Sequence, residues 1–349
     1  MTRYKLPKVI KTDALHSKKC RSLSRENKAD NKVSVSVSRE LFRISRWLDL
    51  AEEELEGMNA GKEGRPYKYC NSMIVWIMLI MGYNKEMTLR KADGMIKGML
   101  EERGLNGPDS STICRRVRNI AENYFQESRD DRFICCYVKP KSNNNKIRAA
   151  IDSTGLNLSK TTMWRENKWG TGPKRRGWLK LHSLVDIDTG EILAYILTDD
   201  KVGDNSAFGH LVNLAVSGGY SLKVIFADAA YEDRKNWMLL DELKIKFVVK
   251  FKSSTSLHSR GSLARGRAAE GWITESYEDW KKITNYGLRW KVESAFSDFK
   301  RLTAETVSAV TTLGMAAQIL SKVFAYNMHK RIRANMIGIT RNEVYVADY

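Results

Sequence analysis

Between Tyr286 and Lys300 the chain carries an aromatic hydroxyl, two cations and one carboxylate at Tyr286, Arg289, Glu293 and Lys300. Read as one α-helix at about 100° per residue, the four fall within an arc of about 60°. Such a face suits a surface that meets both phosphates and a metal ion, but taken alone an ordinary solvated helix is the readier explanation. Two further carboxylates shift that balance. Asp152 follows the strand-like run Lys146–Ile151, and Asp228 follows Lys223–Ala227. Three hard oxygen donors suit Mg2+, which binds a few carboxylates and completes its octahedron with water and phosphate oxygens. Two such ions, roughly 4 Å apart, activate an attacking oxygen and stabilise a leaving one in an in-line displacement. Each acid also has a plain explanation: Asp152 opens a turn with Ser153-Thr154-Gly155, Asp228 caps the next helix, and Glu293 pairs with Arg289 or Lys300. Three such accidents at the expected places are less economical than one site.

The elements that must position these acids can be read from periodicity. Lys146–Ile151 is strand one, Trp178–Ile187 alternates as strand two, and Asp188-Thr189-Gly190 turns into strand three, Glu191–Leu197. A helix over Asn205–Val216, strand four at Lys223–Ala227, a helix over Glu232–Glu242, strand five at Lys246–Phe251 and the Tyr286 helix follow. The expected fold is α/β, a mixed five-stranded sheet flanked by helices. Crossover connections put strand four parallel beside strand one, so that Asp152 and Asp228 lie together at their C-terminal ends. Ser253–Arg267, rich in Ser, Gly and Arg, reads as a surface loop or a DNA-tracking loop. No Walker-type phosphate loop is present, and His182, His210 and His258 lack metal-ligand spacing.

Composition narrows the partners. The 349 residues carry a formal charge of +18 with 42% hydrophobic residues, which describes a folded chain that favours a polyanion. The longest strongly apolar run, Met73–Met81, is too short to span a bilayer, and the basic N-terminus has no apolar signal core behind it. Five cysteines without a Cys-x-x-Cys pair fit a reducing cytoplasm, with the charge adding an association with the nucleoid.

Residues 1–38 are expected to form a basic mobile arm, since 1–50 hold thirteen Lys and Arg against five acids. Residues 39–138 read as a helical region. Within it, capping residues at Asp109 lead into a helix bearing Arg115, Arg116 and Arg118, after a turn at Gly104–Pro108. That outline matches a helix-turn-helix or an ordinary helical hairpin with a solvated arginine face, and both readings stand open. Past the linker Lys139–Asn145, the α/β domain is expected over 146–335, ending in an apolar helix from Thr311 to Asn335, with a tail at 336–349.

The residues Tyr286, Arg289, Glu293 and Lys300 match the spacing Tyr, two residues, Arg, three residues, Glu, six residues, Lys. This resembles the DDE transposases of prokaryotic insertion sequences, and most closely their insertion-sequence-five branch. Ile151–Leu156, Lys174–His182, Asp188–Ile192, Val202–Asn205 and Phe226–Tyr231 are similar to further family stretches, and Pro108–Arg118 is similar to its DNA-binding helices. The resemblance implies a ribonuclease-H-like catalytic domain that cleaves at terminal inverted repeats to free 3′-hydroxyl ends and joins them to target DNA. It implies two Mg2+ ions, with Mn2+ as substitute, held by Asp152, Asp228 and Glu293. Tyr286, Arg289, Lys300, Arg115, Arg116, Arg118, Lys174, Arg175 and Arg176 would contact double-stranded DNA, and two ends to be joined imply a homodimer. A ribonuclease-H-like nuclease without joining and a non-catalytic DNA-binding derivative are the alternatives.

Overall fold

The computed structural model describes residues 32–39, 51–85, 87–126, 133–138, 146–159, 178–253, 255–259 and 261–336. Helices α1 (residues 32–39), α2 (Ala51–Asn59), α3 (Asn71–Tyr83), α4 (Leu89–Glu101) and α5 (Ser110–Glu122) come first. Each of the last three has a capping side chain: the Cys70 sulfur, the Thr88 hydroxyl and the Asp109 carboxylate accept from Met73, Lys91 and Thr112 N–H. Met73–Ile80 of α3 are all buried, which an all-round apolar helix requires. α1 buries Val33 and Val37 in the apolar cluster of the N-terminal helices and the helix Thr312–Met336, so packed structure begins inside the stretch expected to be an arm. Its earlier part, residues 1–31, lies outside the described residues.

β1 (Phe125–Gln126), β2 (Ile134–Tyr137), β3 (Ile147–Leu158), β4 (Trp178–Asp186), β5 (Ile192–Asp199), β6 (Leu222–Ala227), β7 (Lys246–Val249) and β8 (Thr306–Val307) form one sheet in the order β1-β2-β5-β4-β3-β6-β7, with β8 also on β3. β3, β4 and β5 are antiparallel, and β6 and β7 add in parallel. All five expected strands are there in the expected neighbourhood, and the fold is the expected α/β mixed sheet flanked by helices. Three short strands enlarge it. β1 and β2 sit where only helix was expected, because Ile134–Tyr137 finds the open edge of β5.

Strand alternation divides the core into two layers. Ala149, Ile151, Leu184, Ile196 and Ile225 face α6 (Asp204–Ser217) and α7 (Arg234–Glu242), whereas Ala150, Leu181, Leu197 and Phe226 face α10 (Trp290–Thr303) and α11 (Thr312–Met336). Between β7 and α10 lie α8 (Leu263–Thr274) and α9 (Tyr277–Thr284). α8 begins inside the stretch expected to be a loop, because its alanines pack and Arg265 is buried in an ion pair with Glu232 at 2.8 Å.

α11 joins the two halves of the molecule. Met315, Ile319, Val323 and Tyr326 pack on the sheet, while Leu320, Phe324, Met328 and Ile332 pack on the N-terminal helices. A Cβ on Gly82 of α3 would lie 2.1 Å from the Ser321 carbonyl oxygen, so only glycine allows this crossing. The buried Asn327 amide bonds both the N–H and the C=O of Ile192, pinning α11 to β5.

Candidate active site

The first acid does not end its strand. β3 continues past Asp152 to Leu158, paired along one side with β4. On the other side, pairing with β6 ends at Ala150 opposite Phe226 and resumes with β8 at Asn157 opposite Thr306. Asp152 therefore lies in a gap along one edge of β3, not at its terminus. Ser153-Thr154-Gly155, which reads as a turn, stays extended because β4 pairs across it and Gly155 admits the Trp178 ring, 3.0 Å from where a Cβ would be. Asp152 is two residues beyond Ala150, as Asp228 is two beyond Phe226, so the parallel register brings the two acids side by side.

Burial pushes the Asp152 carboxyl up, and the negative charges of Asp204 and Asp228 add to this. Opposing them, Ser153 N–H donates to its Oδ1 at 2.8 Å, and Arg289 Nη1 lies 3.5 Å from Oδ2. Asp228 is exposed and caps the turn Ala229–Tyr231, accepting from Ala229 N–H at 2.7 Å. Tyr231 lies beneath the acids, 1% exposed, with its hydroxyl held protonated by burial and by the surrounding negative charge.

The third acid arrives differently from expectation. Tyr286–Arg289 is a 3-10 turn, entered through Asn285 at φ +57°, and α10 starts only at Trp290. A 3-10 turn brings side chains three apart into line, so Tyr286 and Arg289 lie side by side, their side chains hydrogen-bonded, instead of spreading along one α-helical face. Tyr286 is 6% exposed, its ring 5.0 Å from Trp280, and burial pushes its hydroxyl up to about 12. It supports Arg289 from below and offers no free ring to DNA, which corrects its expected role. Arg289 reaches Asp152 with Nη1 and pairs through Nη2 with the exposed Glu293. Lys300, about two turns further along α10, pairs with Glu305 at 3.4 Å.

The described residues hold no group of three or more His, Cys, Asp or Glu side chains placed to grip a metal ion. The reason is visible: Arg289 stands between Asp152 and Glu293. The donor chemistry nevertheless fits a hard divalent cation, because Asp152 is desolvated beside two like charges, and the cation beside it is a guanidinium shared with Glu293.

Elsewhere the expected DNA contacts divide. Arg115 is exposed and Arg118 half-buried, but Arg116 is 5% exposed, donating to Tyr69 O at 2.8 Å and Asn71 Oδ1 at 2.7 Å. Its guanidinium also covers the Tyr67 ring. Arg116 thus ties α5 to the segment before α3 and is corrected to a structural residue. Lys174, Arg175 and Arg176 lie outside the described residues. Residues that drew no role from the sequence also cluster here: Asp204 binds Lys180 at 2.8 Å and Ser153 Oγ at 2.6 Å. The signal was the pair Lys180 and His182, two apart on β4 and so on one face.

Residues 144–328 match the family described as the transposase DDE domain. Among solved structures the chain is similar to a Mos1 transposase paired-end complex with left transposon end, at 13% identity over 70% of this chain and 80% of that one, with a TM-score of 0.22. It is similar to a Drosophila P element transposase strand transfer complex at 10% identity over 86% and 66%, with a TM-score of 0.31. At such scores these likenesses carry no argument. The family match does, because it covers more than half of the chain and takes in Asp152 on β3, Asp228 just after β6 and Glu293 on α10. The chain belongs to the transposase DDE domain family.

Proposed function

We propose that the chain is a DNA transposase of the insertion-sequence-five branch that binds the terminal inverted repeats of its element, frees their 3′-hydroxyl ends and joins them to target DNA. The observation that carries this is Arg289 bridging Asp152 and Glu293 at a gap in the sheet, with Asp228 brought beside Asp152 by the parallel register. Asp152 and Asp228, with Glu293 once Arg289 releases it, would hold two Mg2+ ions, or Mn2+ in their place, which when bound supply charge stabilisation for in-line displacement at phosphorus. Arg289 then needs another anion, and a phosphate of the DNA end is the natural one, since a guanidinium binds phosphate as it binds carboxylate. Tyr286 holds Arg289 in place beneath that exchange. Lys300, Arg115 and Arg118 supply phosphate contacts, joined by Lys174, Arg175, Arg176 and the basic stretch 1–31. In this reading residues 39–138 are the DNA-binding region and 146–335 the catalytic domain. Joining two ends calls for two copies of the chain on DNA. Among the described residues no helix is long and apolar enough to cross a membrane.

The test uses duplexes carrying the inverted repeats that flank the gene, a plasmid target and Mg2+. Wild-type protein should give joined products from a pre-cut end, and Glu293→Gln none. Cleavage without joining would favour a ribonuclease-H-like nuclease; DNA binding with neither would favour a non-catalytic derivative.

A further inference from the structure

Asp152 sits where β3 pairs with β4 on one side and with neither β6 nor β8 on the other, so its carboxylate needs another source of rigidity. Ser153 provides two links. Its main-chain N–H donates to Asp152 Oδ1 at 2.8 Å, and its hydroxyl, on the opposite face of the strand, donates to Asp204 Oδ1 at 2.6 Å. Asp204 is the first residue of α6, and the same Oδ1 pairs with Lys180 Nζ at 2.8 Å. Lys180 stands on β4 directly across from Gly155, and its Nζ also donates to Val202 O at 3.1 Å, just before α6. We propose that Lys180, Asp204 and Ser153 form a clasp behind the sheet that positions the Asp152 carboxylate for catalysis.

Apolar packing would dock α6 equally well, as it does at Phe208 and Leu211. A pair of charges with side chains 21% and 31% exposed adds little stability over such packing. It does add direction, because hydrogen bonds constrain angle whereas apolar contacts do not. His182, opposite Ser153 on β4, also faces Asp204. It is 1% exposed, bonded through Nε2 to Thr198 Oγ1 at 3.0 Å, with Nδ1 3.6 Å from Asp204 and without a hydrogen-bond partner. Burial and the Lys180 charge hold its pKa down at about 4, so it adds no second cation to the clasp. Lys180, Asp204 and Ser153 are positioning residues that act through Asp152.

This rests on Asp152 being a metal ligand, and the test separates the two claims. Mn2+ affinity of the full chain is measured by the EPR signal of free Mn2+ for wild type, Asp204→Asn, Lys180→Met, Lys180→Arg and Ser153→Ala, alongside DNA affinity, strand transfer at saturating DNA and amide exchange across residues 147–158. Asp204→Asn and Lys180→Met should need about tenfold more Mn2+ for half-saturation, the usual cost of losing a group that orients a ligand, with DNA affinity unchanged. Lys180→Arg should recover most of the affinity, and Ser153→Ala should fall between. Exchange should quicken at residues 147–158 and nowhere else. Unchanged Mn2+ half-saturation with unchanged exchange in Asp204→Asn would overturn the clasp, as would protection lost evenly over the whole chain. A wild type that joins no DNA would refute the transposase reading instead, and the exchange pattern would still decide the clasp.

Discussion

Asp152 on β3 and Asp298 on α10 leave nearly the same fraction of side chain exposed, 24% and 25%, yet their carboxyls move in opposite directions. Burial raises both. At Asp298 it is outweighed by Lys330 at 2.6 Å and Arg301 at 3.2 Å, so the pKa falls below its ordinary value. At Asp152 the nearest cation is 3.5 Å away, shared with Glu293, and the other charged neighbours are acids. The α10–α11 pair is thus complete within the chain and locks helix to helix. The crevice holds more negative charge than its own cations balance, and a balance must come from outside.

The sharpest way to break this contrast is chemical. Asp152→Asn and Glu293→Gln should each abolish joining of a pre-cut end, while Asp298→Asn retains it in proportion to folded protein. Equal losses in all three would erase the distinction. Next in size is stability. Asp298→Asn leaves the buried Lys330 ammonium without its partner and should cost roughly 3 kcal/mol in urea unfolding at neutral pH. A depressed carboxyl stabilises above its unfolded-state pKa and loses this as pH falls through the folded one, so the gap to wild type should close below the ordinary value of 3.8.

Asp152→Asn should act in the reverse sense on metal-free protein. A raised carboxyl costs stability as pH rises through its folded pKa, so the variant should melt higher than wild type at neutral pH, with the advantage vanishing below the ordinary 3.8. A lower melting point at neutral pH would contradict the charge imbalance. The smallest effects concern α5. Arg115→Ala and Arg118→Ala should each lower the salt slope of DNA binding by about one, whereas Arg116→Ala should lower the melting point and leave that slope alone.

Much of this site was legible in the residues. Alternation in Lys146–Ile151 and Lys223–Ala227 located two acids, and the crossover rule made their strands neighbours, as the pairing of Ala150 with Phe226 bears out. What stayed hidden depended on tertiary partners. Ser153-Thr154-Gly155 has turn chemistry, and only pairing with β4 and contact with Trp178 keep it extended. A basic amphipathic helix does not announce which of Arg115, Arg116 and Arg118 turns inward. The 3-10 turn at Tyr286 follows from the left-handed Asn285, a local backbone choice that an ideal helical projection cannot register. Asp204 sits 52 residues from Asp152 in sequence, and its Ser153 bond exists only once α6 docks.

The crevice at Asp152 is where a divalent cation should enter. Mn2+ titration of DNA-free wild type, Asp152→Asn and Asp298→Asn, followed by EPR, decides it most directly. Saturable binding in wild type and Asp298→Asn, lost in Asp152→Asn, is the predicted result; the same binding curve for wild type and Asp152→Asn would contradict it.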